Sequence, residues 1–205
     1  MRIKSTAAIV FLAAIGAASG YATAQTAAQQ KGASVASGDK QFMMKAAGGG
    51  IAEVELGRLA LDKATSPEVK RHAQHMIDDH TKANDELKGI ASSKGVTLPS
   101  GPDPKHQALI DKLKGMSGPE FDKTYIREAG INAHKEMKTL FTDESTKGQD
   151  ADVKAFAEKT LKVVEEHLGD SQKLANAAGG SASNHSHSSK SSASSSANKH
   201  GKPST

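Results

Sequence analysis

Apolar residues recur along this chain every three or four positions, the spacing of one face of an α-helix. Phe42, Ala46, Gly49, Glu53, Leu56 and Ala60 mark a first stripe. Val69, Ala73, Met76, His80, Ala83, Leu87 and Ile90 mark a second. Phe121, Tyr125, Ile131, His134, Met137 and Phe141 mark a third, with less regular spacing. Ala157, Thr160, Val164, His167, Ser171 and Leu174 mark a fourth, flanked by Val153, Phe156, Leu161 and Val163. No stretch alternates apolar and polar residues for long, so no strand is expected.

Local signals punctuate these stripes. Ser66-Pro67-Glu68 supplies an N-cap, a proline at the first helical position and an acid in the first turn. Lys94-Gly95 ends the second helix, and Pro99, Pro102 and Pro104 break the chain beyond it. Residues 105–115 carry Leu109, Ile110 and Leu113 and fit a short crossover helix. Ser117-Gly118-Pro119-Glu120 opens the third long helix, and Asp150 can cap the fourth after Gly148-Gln149. The expected fold is all-α: an antiparallel four-helix bundle, ferritin-like, with a long crossover between helices 2 and 3.

The flanks have a different character. Arg2 and Lys4 precede an apolar run, Ala7 to Ala18, and Ala22-Thr23-Ala24 offers small residues at −3 and −1 of a cleavage point. Residues 1–24 therefore read as a secretory signal peptide, and the expected location is the periplasm or the exterior after cleavage near Ala24. No later stretch is apolar for long enough to cross a bilayer. Residues 25–38 read as a flexible leader and 39–178 as the bundle. Residues 179–205, rich in Ser, Asn, His and Lys, read as a disordered tail, because they hold too little apolar surface to offset ordering entropy.

Composition narrows the chemistry. The chain has no cysteine, which excludes disulfides, thiolate catalysis and a lipid-modified cysteine. The sequence pI is about 9.1, yet residues 25–178 hold 22 Lys and Arg against 23 Asp and Glu. The excess of positive charge lies in the flanks, so nucleic acid is not an expected partner. Protein partners are not legible.

Four polar residues interrupt the apolar stripes, one on each long helix near its middle: Glu53, His80, His134 and His167. Glu and His are poor core residues unless paired or bound to something. One carboxylate and three imidazoles suffice to hold one metal ion such as zinc, copper, iron or nickel. Two other readings fit the same pattern: a metal-free Glu–His hydrogen-bond network, or helix faces that do not converge. Gly49, Gly50 and Gly57 flank Glu53 and suit close helix approach. His72, His75 and His106 fall on polar faces or a loop and are expected to be solvated, as are His185, His187 and His200 in the tail. Asp78, Asp79, Glu165 and Glu166 adjoin the histidines but are expected on other faces.

A di-iron site of the usual kind requires Glu-x-x-His on two helices. Ile77 stands three residues before His80 and Val164 three before His167, so ferroxidase chemistry is not expected. No nucleophile–base arrangement or phosphate loop stands out, and no catalytic residue is assigned.

The run Phe42-Met43-Met44-Lys45-Ala46-Ala47-Gly48-Gly49, followed by Glu53-Val54-Glu55-Leu56-Gly57, resembles the opening of the "domain of unknown function 4142" proteins. Val69-Lys70 with His75-Met76-Ile77-Asp78-Asp79-His80, then His134, then Phe156-Ala157 with Glu166-His167-Leu168, extend the resemblance over about residues 40–176. It implies an exported bacterial protein with a ferritin-like bundle, no established activity, and Glu53, His80, His134 and His167 as the polar core members.

Overall fold

The computed structural model describes residues 35–185. The expected signal segment 1–24, the leader up to residue 34 and the tail beyond residue 185 lie outside the described residues. Among the described residues the chain is all-helical, without strands.

Helix α1 spans Ser37–Lys63 and α2 spans Pro67–Ser93. As the Ser66-Pro67 signal implies, Ser66 Oγ accepts the backbone N–H groups of Glu68 and Val69 at 3.2 and 3.3 Å. Gly95 follows α2 in the left-handed region, at φ +67°. The crossover contains α3, Pro104–Lys114, capped by Asp103 and burying Ile110 and Leu113. The third stripe is one unbroken helical run. It consists of α4, Gly118–Tyr125, a π-helical segment, Ile126–Ala133, and α5, His134–Lys147. The last helix, α6, spans Ala151–His185 and so continues beyond residue 178.

The π segment accounts for the irregular third stripe. Tyr125 and His134 are both buried, yet nine residues make about two and a half turns of α-helix, which would put them on opposite faces. The wider π turns bring them back into phase.

Buried carboxylates hold the turns together. Asp122, in α4, accepts the N–H groups of Thr65 and Ser66 and the Thr65 hydroxyl at 2.7–3.2 Å. Asp39, in the first turn of α1, accepts the N–H groups of Gln149 and Asp150 at 3.1 and 2.7 Å. Lys94, just past α2, reaches Asp150 and Asp152 at 2.7 and 2.8 Å. The α1–α2 turn thus meets the start of α4, while the start of α1 and the end of α2 meet the α5–α6 turn.

Two glycines let α1 approach α2 closely. A Cβ on Gly57 would lie 2.7 Å from Ile77 Cγ1 and 3.0 Å from the Ala73 carbonyl oxygen, and one on Gly50 would lie 2.1 Å from Asn84 Oδ1. The Gly57 contact is the less forgiving, because part of it is backbone. Gly57→Ala is expected to destabilise the protein by about 1–3 kcal/mol through overpacking, despite the higher helix propensity of alanine. A lower urea midpoint at unchanged slope would confirm it, and an unchanged or raised midpoint would refute it. No helix among the described residues is long and apolar enough to cross a membrane.

Candidate metal centre

The buried side chains form two apolar clusters with a polar layer between them. One gathers Phe42, Met43, Leu87, Met137, Phe141 and Phe156; the other gathers Leu56, Val69, Ile110, Phe121, Tyr125 and Ile126. On α2 the first cluster takes Leu87 and Ala91, the second takes Val69 and Ala73, and His80 stands between. His134 separates Ala129 from Met137 in the same way. His167 follows Val164, the last member of the first cluster on α6, and Glu53 adjoins Ala52 at the edge of the second.

Three of the four polar residues converge. His80, His134 and His167 each present a ring nitrogen, and these atoms lie within 4.8 Å of one another. The ring centroids are 5.4–5.6 Å apart, and all three side chains are buried. The Nε2 atoms of His80 and His134 are 3.4 Å apart. Two nitrogens about 2.0–2.1 Å from one tetrahedral zinc ion stand about 3.4 Å apart, so this spacing fits a shared ion. His134 Nδ1 lies 2.9 Å from the Ala129 carbonyl oxygen. In the neutral ring, Nδ1–H donates to that carbonyl and leaves the Nε2 lone pair facing His80. A histidine anchored through its other nitrogen is typical of metal ligation.

Glu53 stands behind this group. Its Oε1 is 4.0 Å from His134 Nδ1, the nitrogen turned away from His80. Both carboxylate oxygens are buried without a hydrogen-bond partner among the described residues, as are the Tyr125 hydroxyl and His167 Nδ1. Buried polar atoms are seldom left unpaired, and an ion is one of the standard reasons when they are.

Burial sets the charge state. Desolvation pushes the Glu53 carboxyl up to about 8. It holds His134 down at about 3 and His80 well below the ordinary imidazole range, with the neighbouring histidines adding to the effect. Desolvation, then the nearby Glu53, also raises the Tyr125 phenol. At neutral pH the imidazoles are uncharged with available lone pairs, and Glu53 is largely protonated.

Two expectations from the sequence are corrected. His72 is buried rather than solvated. Its Nε2 is 2.9 Å from Ser171 Oγ, and its ring centroid is 6.2 Å from that of His167. Burial, then His167, lowers it to about 4. Gly130, in the π segment, makes room for this pair: a Cβ there would stand 2.5 Å from Ser171 Oγ. The spacing was a usable signal, since His72 lies four residues before Met76 and eight before His80. Asp79, expected on another face, places Oδ2 3.2 Å from His167 Nε2.

Residues 22–174 match the family described as a domain of unknown function, DUF4142. The chain belongs to the DUF4142 family. No curated protein matches this DUF4142 chain. Among solved structures, a DUF305 fragment from Deinococcus radiodurans has a TM-score of 0.63 at 10% identity, covering 70% of this chain and 99% of its own. CopM in its Cu(II)-bound form has a TM-score of 0.58 at 18% identity, covering 67% of this chain and 95% of its own. At these identities the DUF4142 protein shares a fold with both neighbours.

Proposed function

We propose that this DUF4142 protein is an exported, periplasmic, ferritin-like antiparallel four-helix bundle that binds one transition-metal ion through His80, His134 and His167. The observation that carries the reading is the convergence of three buried ring nitrogens from α2, α5 and α6 within 4.8 Å. Imidazole ligands favour zinc, copper, nickel or iron over calcium and magnesium. The Cu(II)-bound neighbour of similar fold makes copper a natural first choice, with zinc as the redox-inert comparison. Glu53, whose Oε1 is 4.0 Å from His134 Nδ1, is a buried carboxyl beside the triad with no hydrogen-bond partner among the described residues. Export rests on the Arg2–Ala24 segment.

The test is metal titration of untagged, chelator-stripped protein by calorimetry. We expect one high-affinity ion per chain, with His80→Ala, His134→Ala and His167→Ala each removing that binding step. A wild-type protein that binds zinc and copper no better than these variants refutes the reading. The buried histidines are then a structural network, in which His80 Nε2–H donates to His134 Nε2.

A further inference from the structure

We propose that Asp79 is a positioning residue of the triad: its carboxylate keeps the His167 proton on Nε2, so that His167 offers Nδ1 to the metal. The ligand half of this statement rests on the metal reading above, whereas the tautomer half does not.

The His167 side chain is only 5% exposed, while that of Asp79 is 39% exposed. The Nε2 edge of the ring is therefore turned toward the surface seam between α2 and α6, where Asp79 Oδ2 meets it at 3.2 Å. An ionised carboxylate only accepts hydrogen bonds, so the nitrogen facing it carries the hydrogen. The neutral ring then holds its lone pair on Nδ1. That atom is buried and has no hydrogen-bond partner. The two nitrogens of an imidazole point in divergent directions, so a ring that directs Nε2 outward directs Nδ1 back into the protein; the ring centroids of His80 and His134 stand 5.4 and 5.5 Å from that of His167.

The surroundings favour Asp79 for this role. Glu166 and Asp170 act on the His167 ring through charge, whereas Asp79 is the one carboxylate among the described residues that hydrogen-bonds to it. Lys82 approaches the other Asp79 oxygen, Oδ1, at 3.4 Å, which leaves Oδ2 to the histidine. The triad would then be mixed: His134 is anchored through Nδ1–H on the Ala129 carbonyl and presents Nε2, whereas His167 is anchored through Nε2–H and presents Nδ1. The position of each anchor on its ring selects the ligating nitrogen.

The experiment is a long-range proton–nitrogen NMR spectrum of the metal-free, nitrogen-15-labelled full chain at neutral pH, paired with zinc titration. Wild-type His167 should show Nε2 protonated and Nδ1 unprotonated. Asp79→Ala should erase that preference and weaken zinc binding by about 10- to 100-fold. Asp79→Asn keeps an acceptor oxygen, so it should hold the tautomer better and lose less affinity. Helical circular dichroism identifies any variant that fails to fold, and the asparagine variant then carries the test. Nδ1–H in the wild type, or Asp79 variants with unchanged tautomer and zinc affinity, would overturn the proposal. A wild type with the Nε2–H tautomer but no zinc binding would overturn the metal reading and the ligand half together, while supporting the tautomer half.

Discussion

Glu53→Gln is expected to stabilise the metal-free protein by several kcal/mol near pH 8.5 and to change it far less near pH 5. The cause is the buried, unpartnered carboxyl. Its pKa rises from 4.5 in the unfolded chain to about 8 in the folded protein. Below pH 4.5 both states are protonated and the group costs nothing through linkage. Above that, the unfolded chain ionises while the folded protein holds its proton, so stability falls until the pH passes about 8. A shift of this size corresponds to roughly 3–5 kcal/mol at the alkaline end.

The histidines act with the opposite sign on the acid side. In the unfolded chain they take up protons near pH 6.5, whereas burial in the folded protein delays this to about 4 for His72 and about 3 for His134. Their contribution is complete above 6.5 and is lost as the pH falls toward those lower values. The wild-type protein should therefore be most stable near pH 6.5, with decline on both sides. Glu53→Gln should flatten the alkaline limb and steepen the acid limb above pH 4.5, where the Glu53 penalty opposes the histidines. Urea midpoints at pH 5, 6.5 and 8.5, in chelator, measure this. Parallel wild-type and variant profiles above pH 6.5 would mean that Glu53 is not buried in its neutral form.

The helices were legible because their signals are local. Ser66-Pro67, Asp150 and Gly95 act within one turn, and each works in the structure as a cap or stop. The four polar interruptions were legible too, because Glu and His on an apolar face stand out against aliphatic neighbours. Their mutual geometry was not. Glu53 sits on the same layer as the histidines, yet it faces the Nδ1 side of His134, and no spacing rule tells one side of an imidazole from the other. The π segment was also hidden: its extra residues scramble a 3.6-residue pattern, so the third stripe looked degraded where it had changed period. Asp79 was misplaced for a different reason. A residue next to His80 in sequence lies 100° around the helix, which ordinarily takes it off the buried face. Here that offset leads to the seam with α6, where its carboxylate can reach a ring on the neighbouring helix. The spacing of His72 to Met76 and His80 pointed to the buried face, but its partner did not show in the sequence, since it depends on Ser171 and on the space left by Gly130.

The metal reading makes the second large prediction. A metal that binds only the folded state stabilises it by about 2.7 kcal/mol when free metal is 100 times the dissociation constant. For a domain of this size that is a rise in Tm of about 5–10 °C. The background should carry His185→Ala, His187→Ala and His200→Ala, so that loose binding outside the helical core cannot contribute. In that background zinc or Cu(II) should raise Tm, and His134→Ala should abolish the rise. His134→Ala also removes a buried ring and its bond to Ala129, which lowers the metal-free Tm by itself. The deciding quantity is therefore the difference between metal-loaded and stripped samples of the same variant. His72 is buried against Ser171 and cannot serve as a neutral control. His75 is exposed on α2, so His75→Ala should keep the full metal-induced rise. If His134→Ala and His75→Ala retain equal rises, the ion binds elsewhere. If the wild type shows no rise with either metal, the convergence of His80, His134 and His167 serves packing and hydrogen bonding instead.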